Sequence, residues 1–156
     1  MTLDQAQKLV SQLGTQLGSD ASTYTMDEQG ESNLVFDGNT GVIIKHFENC
    51  LVLATSLAQG IDLEEPGLFP TLMDYQFLGL RTYGHVLSWN SNSDALLLSR
   101  HIHGDCSVSD LVLHLETLLR VTERVKEDIS EIIDGTWGDK EVPPAAEPPT
   151  YSMIKA

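Results

Sequence analysis

CLVLATSLA, residues Cys50 to Ala58, is the stretch that decides the fold. Cys50 to Ala54 are apolar at odd and even positions alike, so a strand here has no wet face and needs cover on both sides. The sheet that holds it meets helices on one face and something else on the other. VIIKHF (42–47) precedes it, led in by the turn Asp37-Gly38-Asn39-Thr40-Gly41. Upstream, SNLVFDG puts Leu34 and Phe36 on one face and Val35 on the other; STYTMDE reaches it through a turn at Gln29-Gly30, which predicts a hairpin of these two strands. At the N-terminus the period changes. Leu3, Ala6, Val10, Leu13 and Leu17 form one helical stripe over about residues 3 to 17, with Thr2 and Gln5 as a capping box and Gly18 as a stop.

Downstream, AQGIDLEEPG (58–67) reads as a polar loop. FPTLMDYQFLGL (69–80) then predicts a short helix with Pro70 in its first turn and Leu72, Met73, Tyr75, Phe77 and Leu78 almost all the way round, buried from several directions. HVLSWN, the turn Ser91-Asn92-Ser93-Asp94 and ALLLSRHI read as a second hairpin. The strongest helical signal closes the chain. Ser107 and Asp110 start it, and Val108, Leu111, Leu115, Leu118, Val125, Ile129 and Ile132 follow at spacings of 3 and 4, with Thr122 in the one missing slot. Four of the six prolines then fall between residues 143 and 149, so residues 138–156 are expected to be a mobile, partly extended tail after one domain over 1–137.

Charge and composition exclude several functions. Lys plus Arg number 9 against 23 Asp plus Glu, a net charge of −14, which is the wrong sign for nucleic acid and for anionic membrane surfaces. No apolar run approaches the roughly 18 residues of a membrane span, so no membrane insertion is expected. Cys50 and Cys106 show no paired spacing, and MTLDQAQKLV has no basic-then-apolar signal, which points to the reducing cytosol. Neither a G-x-G-x-x-G fingerprint nor a phosphate-binding glycine loop occurs, and no EF-hand order exists, so no nucleotide, metal or other cofactor is expected.

The residues closest to a chemical cluster are His101 and His103, two apart on one strand face, with Asp105 and Cys106 following. A small metal- or thiol-dependent enzyme built on His101, His103 and Cys106 is therefore the alternative reading; Cys106 directly precedes a helix, whose dipole favours a thiolate. Against it, H-x-H is a weak signal, and one Cys near one His is not a dyad. His114 reads as a rim residue of the last helix. Glu64-Glu65 and Asp27-Glu28 read as solvated loop charges. What remains is surplus apolar surface on an acidic chain, and contiguous apolar surface means a partner.

An opening helix with LxxQLG, the stretch MDEQGESNLVFDGNTGVIIK, the run LVLATSLA, a short apolar helix, the hairpin HVLSWNSNSDALLLSRHI and a long closing helix together resemble the class I type III secretion chaperones, the Tir-chaperone family. The more specific pieces are the double turn from Asp27 to Gly38, the strand Leu96 to Arg100 and Trp137 after the last helix. The resemblance implies an α+β fold, an antiparallel sheet flanked by helices in the order α-β-β-β-(β)-α-β-β-α. It implies a homodimer in the bacterial cytosol, with Leu72, Met73, Tyr75, Phe77 and Leu78 at the two-fold interface, and no enzymatic activity. It also implies that the extended N-terminal segment of one or more secreted effector proteins binds at Leu13, Leu17, Leu34, Phe36, Val42 and Ile44. Where family members often carry Asn near the end of the short helix, this chain has Gln76 and Gly79. The tail is either a contact for the secretion ATPase, a shield for the groove or a solubilising end. A third reading, an adaptor for folded proteins, predicts no binding of an isolated client N-terminus.

Overall fold

Capping chemistry sets both long helices. In the computed structural model, which describes residues 1–17, 24–36 and 39–135, helix α1 (Leu3–Gln16) starts at Thr2, whose hydroxyl accepts from Gln5 N while Gln5 Oε1 accepts from Thr2 N. Helix α3 (Val108–Ile133) starts at Ser107 in the same way, with Asp110 returning the bond. These bonds hold the Asp110 carboxyl below its usual range. The expected stripe on α3 is buried from Leu111 to Ile132, with Val108 half-buried at its start, and Thr122, in the missing slot, donates its hydroxyl to Leu118 O at 2.7 Å.

Among the described residues, five strands lie between them, β1 (Glu31–Phe36), β2 (Thr40–Phe47), β3 (Cys50–Gln59), β4 (Val86–Asn90) and β5 (Ala95–His103), antiparallel in the order β1-β2-β3-β5-β4. Helix α2 (Leu68–Gln76) follows β3 and runs into a short 3-10 turn at Phe77–Gly79. Helix α3 packs on β3 and β5 and against α1, while α2 lies against α3 and β4. All three helices share one core with Leu34, Val42, Ile44, Leu51, Leu53, Leu98 and Ile102 of the inner sheet face. The element order is the expected one with the bracketed strand left out.

Two local expectations change. STYTMDE is not a strand at its described residues 24–28. The reason is the Asp27 carboxylate, which accepts from Gln29 N at 2.9 Å and Glu31 N at 2.8 Å and so closes a turn directly into β1. Tyr24 meanwhile packs on α1, where a Cβ added to Gly14 would lie 2.8 Å from the Tyr24 ring. The first hairpin is therefore β1 with β2, pairing Leu34 with Val42. The helix expected over 69–80 also stops early, because Phe77 leaves helical geometry with a ψ of 111° and Leu78 then takes a left-handed φ of 51°. Gly18, the Asp37-Gly38 turn and the tail at 138–156 lie outside the described residues. Among the described residues no helix is long and apolar enough to cross a membrane.

Candidate functional site

Strand alternation sorts the apolar side chains into two faces. The set expected to receive a guest divides accordingly: Leu13, Leu34, Val42 and Ile44 are buried in the shared core, Phe36 at the end of β1 is half-buried, and Leu17 at the C-terminus of α1 is 39% exposed. Of the six, Phe36 and Leu17 are the side chains a second molecule can touch.

The outer face of the sheet carries what that set missed. Val35 on β1 is 69% exposed and Phe47 on β2 is 59% exposed, with Ile43 between them also exposed. Val52, Ala54 and Leu97 continue this face across β3 and β5, half-covered, to exposed Val86 on β4. Among the described residues no element covers it. The face is apolar but not uniformly so: Lys45 Nζ lies 3.0 Å from Glu31 Oε2, a pairing that holds the Glu31 carboxyl below its usual range. The signal was present in the double-sided apolarity of Cys50 to Ala54. Beside this face, β1 and β4 are the two edges of the sheet.

A second apolar surface surrounds the end of α2. Leu72 and Tyr75, expected at an interface between subunits, face the chain's own core instead. Tyr75 donates its hydroxyl to the Asp128 carboxylate of α3, and burial, followed by that bond, pushes its phenol up to about 12, so it keeps its proton. Met73, Phe77 and Leu78 point outward, joined by Phe69, Leu80 and Tyr83, with Leu78 the most exposed at 76%. Arg81 lies 4.5 Å over the Tyr75 ring and pairs with Asp74. Gln76 Oε1 accepts from Leu87 N at 2.7 Å, tying the end of α2 to β4.

The candidate enzyme residues are not brought together. His101 and His103 sit exposed on the outer face, rings 6.4 Å apart and edge to face, beside Val52 and Cys50 of the neighbouring strand. Cys106 instead lines a cavity of about 250 Å³ with Met1, Gln5, Lys8, Leu9 and Gln12. Burial, and then the Asp110 charge, push its thiol up, opposite to what a nucleophile requires. Among the described residues no group of three or more His, Cys, Asp and Glu is placed to hold a metal ion.

Known proteins share this arrangement. The sequence profile described as the Tir chaperone protein (CesT) family matches residues 8–126. Among solved structures, the ExsC–ExsE complex contains a chain of 20% identity, with 80% of this chain and 92% of that one covered and a TM-score of 0.67. The Yersinia pestis type III secretion chaperone SycH, in complex with a stable fragment of YscM2, matches at 15% identity over 77% of this chain and 98% of that one, TM-score 0.61. The heterodimeric ExoU–SpcU complex from the type III secretion system of Pseudomonas aeruginosa matches at 13% identity over 76% and 95%, TM-score 0.61. At these identities the likeness concerns the fold. No curated protein matches the sequence.

Proposed function

Because the chain belongs to the Tir chaperone protein (CesT) family, we propose that it is a type III secretion chaperone that holds the extended N-terminal segment of one or more secreted effectors in the bacterial cytosol. It acts as a homodimer and without catalysis. The observation that carries this reading is the open outer sheet face, where Val35, Ile43 and Phe47 lie exposed beside the edge strand β1. An extended guest gains main-chain hydrogen bonds from a free edge and places alternate side chains on the adjoining apolar surface, and it stays unfolded because those side chains are already covered. Leu17 and Phe36 extend the contact over the end of α1, with Leu13, Leu34, Val42 and Ile44 as the rigid floor beneath them.

The excess of 23 acidic over 9 basic residues suits the same task. It disfavours association between loaded chaperones and draws in basic guest segments. Met73, Phe77 and Leu78 form the exposed part of the subunit interface, with Leu72 and Tyr75 supporting them from inside. A self-complementary contact needs only one such patch per subunit. The test is calorimetric titration of the purified chain with N-terminal segments of secreted proteins from the same cell. Binding with a large negative heat-capacity change supports the reading. Binding only to folded full-length partners, and to none of their isolated N-termini, overturns it in favour of an adaptor.

A further inference from the structure

The exposed apolar turn after α2 is built around one buried histidine. Leu78, Gly79, Tyr83 and Gly84 all take left-handed φ angles of 51° to 77° within eight residues. Such a turn keeps its shape only while its internal bonds hold. Gly84 N donates to Gly79 O at 2.9 Å, and the Thr82 hydroxyl donates to His85 O at 2.6 Å. His85 Nδ1 lies 2.7 Å from Thr82 O; a carbonyl only accepts, so the proton sits on Nδ1 and the lone pair on Nε2. Thr82 and His85 are fully enclosed, while Phe77, Leu78, Leu80 and Tyr83 point out.

The surroundings of His85 are cationic. Arg100 of β5 reaches over the turn, its Nη1 donating to Gly84 O at 2.9 Å and Tyr83 O at 3.4 Å, and it sits so close that a Cβ on Gly84 would lie 2.5 Å from it. From α3, His114 bears on His85, and Arg120 stands 5.5 Å over the Tyr83 ring. Asp110 offsets charge at His114, and Asp74 on α2 is engaged by Arg81. Strand β4 supplies no charged residue. His85 Nε2 has no hydrogen-bond partner among the described residues. A proton there would be a second buried cation beside Arg100, and the backbone of Thr82 and of His114, which favours the protonated form, offsets only part of that cost.

We propose that His85 is an acid-sensitive latch on the α2–β4 surface: its protonation opens the Phe77–Gly84 turn and weakens the contact between subunits. The proposal rests on the homodimer reading above. Burial, with the Arg100 charge adding to it and the backbone of Thr82 and His114 opposing it, holds His85 below its ordinary 6.5. The folded turn therefore binds fewer protons than the opened one, and its stability is complete above about pH 6.5 and falls as the pH drops below that value. With one such histidine per subunit, two protons are linked to each dimer. Between about pH 7.5 and about pH 5.5 the dissociation constant then rises by up to about a hundredfold.

The experiment is sedimentation velocity of the full chain across this pH range, alongside His85→Asn, whose amide keeps the Nδ1-like donor but cannot take up a proton. A rise of tenfold or more in the wild type that is largely lost in His85→Asn is the expected result. A flat wild type, or a variant with the full pH response, overturns the proposal. Should His85→Asn not fold, amide protection factors at Gly84 and His85 in the wild type decide it: they must fall on acidification ahead of those in α3, and unchanged protection overturns the latch. A chain that is monomeric already at about pH 7.5 refutes the homodimer reading separately. The same protection factors then judge the latch in the monomer.

Discussion

Removing one oxygen tests how α2 is held. In Tyr75→Phe the ring still fills its fully buried site, but the Asp128 carboxylate, itself buried on α3, loses the hydroxyl that donates to it. A hydrogen bond to a charged group contributes about 1.5–3 kcal/mol, and a buried acceptor left unpaired adds its desolvation cost. We expect a loss of about 2–3 kcal/mol, a large share of the stability of an ordinary domain. The upward shift of the phenol does not measure this bond, because burial is its larger cause. What the shift does establish is that the donor keeps its proton throughout the neutral range. The assay is urea unfolding at fixed chain concentration, since association of the proposed dimer would add to apparent stability. Asp128→Leu in the Tyr75→Phe background removes the stranded carboxylate and should recover most of the loss, giving a coupling of about 2 kcal/mol in the double-mutant cycle. A Tyr75→Phe protein within about 0.5 kcal/mol of the wild type, or a cycle with no coupling, refutes the reasoning.

Three further substitutions separate the surfaces. Phe36→Asp places a charge at the half-buried end of β1; calorimetry should show at least tenfold weaker capture of an effector N-terminus, while light scattering still reports a dimer. Phe77→Asp charges the exposed turn after α2, and the chain should run as a monomer or aggregate in the same scattering measurement. Gly14→Ala gains about 1 kcal/mol of helix propensity but drives a Cβ to 2.8 Å from the Tyr24 ring, and overpacking of that kind costs about 1–3 kcal/mol. The net expectation is a loss of about 1 kcal/mol in urea unfolding, and a stabilised variant would show that Tyr24 moves aside freely.

Much of this architecture was legible because its determinants are local. The capping boxes at Thr2 and Ser107 and the stripe on α3 depend on residues three and four apart, and they appear in place. The double-sided apolarity of Cys50 to Ala54 told of a face that needs a cover besides the helices, but not which side the helices would leave open. Which side is open depends on where the helices pack, and that is tertiary information. The missing strand at STYTMDE shows the same limit from the other direction: alternation was present, but the Asp27 turn and the seat of Tyr24 on Gly14 drew the segment to α1. In the sequence the apolar residues of α2 and the turn after it form one continuous patch. The structure divides them, with Leu72 and Tyr75 on the inward face of α2, Met73 on its outward face and Phe77 and Leu78 outward in the turn that follows. His85 carried no signal at all, since neither its burial nor its approach to Arg100 follows from sequence spacing.

The two exposed apolar surfaces differ in build, and the difference matches the partners proposed for them. The turn after α2 is pinned by Gln76 to β4, by Arg100 to β5 and by its own Thr82–His85 bonds, so Phe77 and Leu78 are presented in a fixed geometry. A two-fold contact needs that rigidity, because the same residues must meet their own copies in one arrangement. The outer sheet face instead spreads modest side chains, Val35, Ile43, Val52, Ala54 and Leu97, over a regular lattice beside a free edge. Main-chain pairing at such an edge is indifferent to sequence, and shallow apolar positions at a period of two accept many side chains. A surface of this kind favours breadth over selectivity among guests. Selectivity would then fall to the few positions with shape or charge, Phe36, Phe47 and the Lys45–Glu31 pair. If so, exchanging the two charges (Lys45→Glu with Glu31→Lys) should change the ranking of different effector segments by several-fold in calorimetric titration while leaving urea unfolding within about 0.5 kcal/mol. An unchanged ranking would place selectivity elsewhere on the surface.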